Sequence, residues 1–178
     1  MREAIVAIDT SLLHAIFGLP RPDWLTWMMA AASVAGIGGA IWMALTVLLL
    51  LVREIQWRDL VRLVAAIALV HVVVDLGIKP WVDRPRPQLA AAGFDVIVDV
   101  PESRSFPSGH AAHATAAALV LTRVWQRARA MVWIAATVVA VARVYLGIHY
   151  PLDALAGCAT GLACGWVALH IPRFPAAR

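Results

Sequence analysis

Long apolar stretches separated by short polar segments run along most of this chain. A stretch of about 20 apolar residues is long enough to cross a hydrocarbon layer of about 30 Å as a helix. The pattern predicts spans at 24–52, 60–78, 110–122, 131–148 and 152–171. We therefore expect an all-α fold, a polytopic bundle of transmembrane helices with about five spans.

The first span and the segment before it depart from a simple crossing. The first span is too long for one straight helix and too short for two, and three glycines within 36–39 predict a kink or break near its middle. Residues 3–17 form another apolar segment, interrupted by Asp9 and His14. This pattern predicts an N-terminal helix at the membrane interface, or one that enters the membrane without crossing it.

The composition agrees with a membrane protein. The chain of 178 residues is 62% hydrophobic and 15% charged, whereas soluble domains are about 45–50% apolar and about 25% charged. The length allows a single domain, which we take as residues 1–178. The two cysteines lie inside an apolar run, where they fit small packing residues better than a disulfide or a metal site.

The arginines predict the orientation of the bundle, because short cytoplasmic loops accumulate Arg and Lys. Three arginine clusters fall on one side of the predicted spans, at 53–62, 123–129 and 173–178. That side is expected to be cytoplasmic, which places the connection 80–109 and the turn 148–152 on the outer face. The outer face nevertheless carries cations of its own. They are Lys79, Arg84, Arg86, Arg104 and Arg143.

Three polar clusters on the outer face have the composition of a phosphate site. The first runs from Lys79 to Arg86-Pro87, the second is Pro107-Ser108-Gly109-His110, and the third comprises Arg143, His149 and Asp153. Arginine can contact two phosphate oxygens at once, and lysine adds a point charge. A helix that begins near Ser108-Gly109 would offer unpaired N–H groups and its positive dipole end to an anion. Together these groups can offset charge that develops on a transferring phosphoryl group.

The two histidines of these clusters suit different roles. His149 and Asp153 have i, i+4 spacing, so a helix that begins near Tyr150-Pro151 places them on one face. The carboxylate would keep one ring nitrogen protonated, which leaves the other as a neutral nucleophile. His110 lies on a different span and is free to act as general acid toward the leaving oxygen.

A metal site is the main alternative for the histidines. His110, His113 and His149 could supply ligands, but the surrounding cations would repel a divalent ion and the sequence nearby lacks a dense carboxylate cluster. We therefore expect no metal and no cofactor. We interpret His113 as a polar residue in helix packing.

In chain order, the three clusters resemble the signature of the type 2 phosphatidic acid phosphatase family. The family pattern is Lys, six residues, Arg-Pro; then Pro-Ser-Gly-His; then Ser-Arg, five residues, His, three residues, Asp. The matching positions here are Lys79 to Arg86-Pro87, Pro107 to His110, and Ala142-Arg143 to His149 and Asp153. The resemblance covers about residues 60–171. Ala142 stands where the pattern has serine, which removes one hydroxyl near the phosphate.

The resemblance implies an integral membrane phosphatase whose chemistry needs no metal. It implies that His149 is the nucleophile that forms a phosphohistidine, that Asp153 orients it, and that His110 protonates the leaving group. The other matched residues are implied to form the phosphate cradle. They are Lys79, Arg86, Ser108, Gly109 and Arg143.

We therefore expect a lipid phosphatase of the bacterial cytoplasmic membrane, with its active site facing the periplasm or exterior. The favoured substrate is undecaprenyl or another polyprenyl diphosphate, because a small chain of this kind resembles bacterial undecaprenyl diphosphatases. Phosphatidic acid, phosphatidylglycerophosphate and lipid A phosphates are alternative substrates. A lipid-phosphate transporter or flippase and a vanadate-dependent oxidation catalyst are alternative functions. The expected partners are a lipid phosphate and membrane lipids, without nucleic acid, and the oligomeric state stays open.

One feature of the second span lies outside the signature. His71, Asp75 and Lys79 are each four residues apart. This spacing predicts that Asp75 pairs with Lys79 and that His71 supports Asp75. Such a group would position Lys79 at the phosphate.

The outer connection holds two more features. Residues 94–100 alternate apolar and acidic positions like a short half-buried strand, which predicts either a lid over the site or a loop packed at the interface. Arg104 is placed to contact a second phosphate of a diphosphate, or to pair with Glu102 or lipid head groups.

Overall fold

The computed structural model describes residues 2–87 and 101–171, with side chains from residue 6 onward. The regular elements of these residues are helices. They are α1 (Arg2–Phe17), α2 (Asp23–Ala35), a 3₁₀ turn (Ile37–Gly39), α3 (Ala40–Leu51), α4 (Trp57–Val70), a π-helical stretch (His71–Ile78), α5 (Lys79–Val82), α6 (Gly109–Val124), a second 3₁₀ turn (Gln126–Ala128), α7 (Arg129–Tyr145) and α8 (Pro151–Leu169). The predicted all-α fold is confirmed. The predicted strand at 94–100 lies outside the described residues.

Helix length and hydropathy agree with a membrane bundle. Among the described residues, three helices can cross a membrane, Trp57–Val82, Gln126–Tyr145 and Pro151–Leu169. α2 and α3 together meet the same test as one span bent by 55°. α6 has 16 residues, fewer than the about 20 that a straight crossing needs. Four of the five predicted spans thus have the length for a crossing, and the fifth stays a prediction.

The break between α2 and α3 lies at the glycines that predicted it. Gly38 and Gly39 have φ of 55° and 78°, a left-handed backbone that is costly for residues with a Cβ. A Cβ at Gly39 would also lie 2.9 Å from Cδ1 of Ile67. A Cβ at Gly36 would lie 3.2 Å from Cδ2 of His110. The break therefore packs tightly against α4 and the beginning of α6.

α6 lies between α4, α7 and α8, and α8 packs directly along it. Three glycines of α8 stand where the two backbones meet. A Cβ at Gly157 would lie 2.4 Å from the carbonyl oxygen of Ser108, and one at Gly161 would lie 2.2 Å from that of Ala112. This close approach brings the beginnings of the two helices together, and the Ser108 N–H donates to the carbonyl oxygen of Asp153 at 2.9 Å.

α1 is the predicted N-terminal helix, and its existence is confirmed. Leu13 and Phe17 of α1 pack against Val144 near the end of α7 and Ala154 near the beginning of α8. The helix therefore lies at the end of the bundle where α7 finishes and α8 begins, as an interfacial helix would.

Candidate active site

The three predicted clusters meet at one end of the bundle. The first ends the helix formed by α4 and α5, the second begins α6, and the third spans the turn from α7 to α8. Lys79 and Gly109 are neighbours, because a Cβ at Gly109 would lie 3.8 Å from Nζ of Lys79. His110 is close enough to Lys79, Arg143 and His149 for their charges to act on its ring. The predicted site residues are thus brought into one region.

His149 and Asp153 form the pair that their spacing predicted. His149 is buried in the turn before α8, and its Nδ1 lies 3.6 Å from Oδ2 of Asp153. Pro151 begins α8, and the Tyr150 N–H donates to Oδ2 of Asp153 at 3.0 Å. The carboxylate therefore caps its own helix and faces the imidazole.

The other ring nitrogen of His149 faces the cations. Nη1 of Arg86 lies 3.0 Å from Nε2 of His149 and donates to the carbonyl oxygen of Ile148 at 3.0 Å. Arginine has donors only, so Nε2 is the acceptor and the ring proton is on Nδ1, beside Asp153. This tautomer leaves the Nε2 lone pair directed toward the cradle.

The charge state of His149 suits a nucleophile. Burial lowers the pKa of His149 to about 4, and the positive charge of Arg86 adds to this, although the hydrogen bond with Asp153 opposes it. The imidazole is therefore neutral near pH 7. Burial also lowers the pKa of Arg86, against the charge of Asp153, but an arginine stays cationic in proteins.

Arg86 is held by the loop before α6. Its Nε donates to the carbonyl oxygen of Ser103 at 2.7 Å, and its Nη2 donates to the Ser103 hydroxyl at 3.0 Å. Nε and Nη2 of the guanidinium thus bond to the loop, and Nη1 faces His149. The side chain is oriented before any ligand binds.

Two nitrogens of the site are buried without a hydrogen-bond partner among the described residues, Nε of Arg143 and Nε2 of His110. Nη1 of Arg143 donates to the hydroxyl of Ser33 on α2, and the charges of Arg143 and Arg86 act on each other. Buried polar groups nearly always have partners. A ligand with several oxygen acceptors would supply them here and would reduce the repulsion between the arginines.

Lys79 has the support that the helical spacing predicted. Its Nζ donates to Oδ1 of Asp75 at 2.6 Å, and Oδ2 of Asp75 lies 2.7 Å from Nδ1 of His71. The predicted contacts are therefore confirmed. Ser108 is the N-cap of α6, and its hydroxyl accepts from the N–H of Ala111, so the second cluster begins a helix as predicted.

Ser105 is a member of the site that sequence reasoning missed. Its buried hydroxyl donates to Oδ2 of Asp153 and lies 3.4 Å from Nδ1 of His149. It supports the orientation of the carboxylate from the loop side. A serine in a loop carries no periodic signal, so nothing in its surroundings pointed to this role.

The contacts of Arg84 with Asp153 and Asp9 were not predicted, although Arg84 is one of the outer cations. Nη1 of Arg84 donates to Oδ1 of Asp153 at 2.7 Å, and Nη2 donates to Oδ2 of Asp9 at 2.7 Å. Asp9 and Asp153 are both fully buried. One signal was present, because an ionisable residue inside an apolar helix marks function more often than chance.

Three further predictions concern Arg104, His113 and a metal site. Arg104 forms an ion pair with Asp83, so its partner is not the expected Glu102. His113 is buried within α6, as expected for a packing residue. In residues 2–87 and 101–171, no group of three or more His, Cys, Asp or Glu is arranged to hold a metal ion.

Comparison with known proteins gives consistent matches. The sequence model of the PAP2 superfamily matches residues 59–175. The lipid A 4'-phosphatase of Bacteroides thetaiotaomicron is 30% identical over 94% of this chain and 78% of its own length. The decaprenylphosphoryl-5-phosphoribose phosphatase of Mycobacterium tuberculosis is 40% identical over 49% of this chain and 48% of its own length. The crystal structure of Aquifex aeolicus LpxE has a TM-score of 0.76 at 26% identity, covering 91% of this chain and 94% of that one.

Proposed function

The chain belongs to the PAP2 superfamily of phosphatases, and on that premise we propose that it hydrolyses a lipid phosphate through a phosphohistidine on His149. The resemblance found in the sequence is confirmed at the level of the family, and so is the hydrolase class. The observation that carries the proposal is the acceptor nitrogen Nε2 of His149, 3.0 Å from Arg86. Near it, buried nitrogens of Arg143 and His110 have no hydrogen-bond partner in the part of the chain that the structure describes.

A phosphate would bind to the side chains and backbone groups that still have N–H donors to offer. Phosphate oxygens would accept from Lys79, Arg86 and Arg143 and from the N–H groups at the beginning of α6. Nη1 of Arg86 would exchange its contact with Nε2 of His149 for a phosphate oxygen. This exchange frees the nitrogen lone pair to face phosphorus.

Two displacements at phosphorus complete the reaction. Nε2 of His149 forms a bond to phosphorus while the bond from phosphorus to the lipid oxygen breaks, and His110 gives that oxygen a proton. Asp153 keeps the proton on Nδ1 and stabilises the positive charge of the ring. A water oxygen then forms a bond to phosphorus while the bond from phosphorus to Nε2 of His149 breaks. His110 takes a proton from the water, and inorganic phosphate leaves.

A lipid A phosphate is our first candidate substrate. The relative named for lipid A aligns over 94% of this chain, whereas relatives named for a decaprenyl-linked phosphate align over 49% and 77%. Undecaprenyl diphosphate, favoured by the sequence analysis, becomes one arm of the substrate panel together with phosphatidic acid and phosphatidylglycerophosphate.

The chain has candidate membrane spans, and its fold is similar to that of a transmembrane PAP2-type phosphatase from Bacillus subtilis. We propose that its site faces the outside of a bacterial cytoplasmic membrane. The arginine clusters at 53–62 and 123–129 lie at the opposite end of the spans, and arginine accumulates in cytoplasmic loops.

Phosphate release from this lipid panel, measured in detergent, tests the proposal. We expect release by the intact protein and by His170→Ala, which changes an exposed histidine at the far end of α8, but not by His149→Ala. Undiminished release by His149→Ala would contradict the assigned nucleophile. Binding without release by the intact protein would favour a transporter or flippase, and activation by vanadate would favour the oxidation catalyst.

A further inference from the structure

α1 lies outside the residues that the family model matches, yet it reaches the active site through one carboxylate. Asp9 is fully buried. Its Oδ2 accepts from Nη2 of Arg84 at 2.7 Å, and its Oδ1 accepts from the Leu152 N–H at 3.0 Å. A buried carboxylate is costly unless it is paired, so its presence in an apolar helix calls for a specific partner.

Arg84 joins that carboxylate to the one beside the nucleophile. Its Nη1 donates to Oδ1 of Asp153 at 2.7 Å, and its guanidinium lies over the Tyr150 ring at 4.0 Å. The planar fork of arginine sets the direction of both carboxylates. Because Arg84 engages Oδ1, the second oxygen of Asp153 is left facing Nδ1 of His149 at 3.6 Å.

We propose that Asp9 and Arg84 are positioning residues, which hold Asp153 in the orientation that keeps His149 ready for attack and make α1 part of the active-site framework. The inference rests on the proposed roles of His149 and Asp153. Among the described residues, the hydrogen bonds of the Asp9 and Arg84 side chains go to each other, to Asp153 and to the Leu152 N–H, and not to the residues of the phosphate cradle. We call the contacts that join Asp9, Arg84 and Asp153 the bridge. Loss of the bridge should therefore lower kcat and leave KM for a lipid phosphate unchanged.

The first test variant is Asp9→Asn, which removes the charge and keeps the size of the side chain. Misplacing a reacting group by about 1 Å costs about 10²-fold in rate, and the partial loss of support here should lower kcat by about tenfold. KM should stay within about twofold. The matched control is Asp23→Asn, an exposed carboxylate in the first turn of α2, which should behave as wild type.

The second variant is Arg84→Lys, which keeps the positive charge but loses the fork that contacts two carboxylates. Its control is Arg62→Lys. The Arg62 side chain is paired with Asp59 near the beginning of α4 and is 15% exposed, and the Arg84 side chain is 14% exposed. Because Asp9 acts through Arg84, the double variant should lose no more kcat than Arg84→Lys alone. Losses that multiply would show that Asp9 acts on the site by a route other than Arg84.

Three results would overturn the proposal: wild-type kcat in folded Asp9→Asn, multiplied losses in the double variant, or failure of both single variants to fold. The last result would assign the bridge to folding alone. His149→Ala separates this inference from the proposed function. If His149→Ala is active, the proposed function fails; if it is inactive while Asp9→Asn keeps full kcat, only the inference about α1 fails.

Discussion

Replacing Gly161 with alanine tests how far the position of α8 controls the chemistry. The added Cβ would lie 2.2 Å from both the carbonyl oxygen of Ala112 and the hydroxyl of Thr115, whereas ordinary contact begins at 3.4 Å. The backbone of α6 cannot yield locally, so α8 must move away by about 1 Å. Asp153 lies about two turns earlier on α8, and its carbonyl oxygen accepts from Ser108 at 2.9 Å.

This displacement should affect the rate more than the stability. Overpacking costs about 1–3 kcal/mol, and the better helix propensity of alanine returns about 1 kcal/mol. A domain with about 5–15 kcal/mol of stability stays folded after such a change. A misplacement of about 1 Å at the reacting groups costs about 10²-fold in kcat. Gly161→Ala should therefore be folded, slightly destabilised and about 10²-fold slower.

The assay compares kcat on a lipid phosphate with the thermal midpoint from tryptophan fluorescence. The matched control is Gly77→Ala, another helical glycine, whose added Cβ meets the nearest atom, the carbonyl oxygen of Val72, at 3.5 Å. This control should keep wild-type kcat. Wild-type kcat in Gly161→Ala, or an equal loss in Gly77→Ala, would show that the position of α8 does not control the chemistry.

Asp75→Asn should raise KM about tenfold, the effect of about 1.4 kcal/mol, because Nζ of Lys79 loses the ion pair at 2.6 Å that directs it; an unchanged KM and kcat would contradict this support role. Nitrogen-15 NMR of ring-labelled protein should give His149 a midpoint near pH 4, so the ring is neutral above about pH 5 and protonated below its lowered pKa. A midpoint near the ordinary value of 6.5 would argue against burial as the cause. Phosphate release should continue in excess EDTA, and loss that Mg²⁺ restores would show a metal requirement.

Features set by local spacing were predictable from the sequence. The i, i+4 rule placed Asp75 beside Lys79, since a helix turn fixes such neighbours. The same spacing paired His149 with Asp153, with His149 in the turn directly before α8. The glycines of 36–39 marked the bend in the same way. The bounds of α6 differ only slightly from the predicted span 110–122, because the helix begins at Gly109, directly after its Ser108 cap, and continues to Val124.

Contacts between distant segments were not predictable. Arg84 meets Asp9 across 75 positions and Asp153 across 69, and Ser105 meets Asp153 across 48. These contacts depend on how α1 and the loop before α6 pack onto the helix ends. No periodicity in a single sequence encodes that packing. Substrate choice depends in the same way on surfaces formed by the whole bundle, which is why the lipid panel is needed.

Trapping the reaction intermediate is the most direct test of His149 as the nucleophile. The intact protein is mixed with a lipid phosphate labelled in the phosphoryl group, quenched in base during the first turnover, and mapped by peptide mass spectrometry. The phosphohistidine mechanism predicts phosphate on His149, equal labelling in His170→Ala and none in His149→Ala. Label on another residue, or a complete single turnover without labelled histidine, would contradict it.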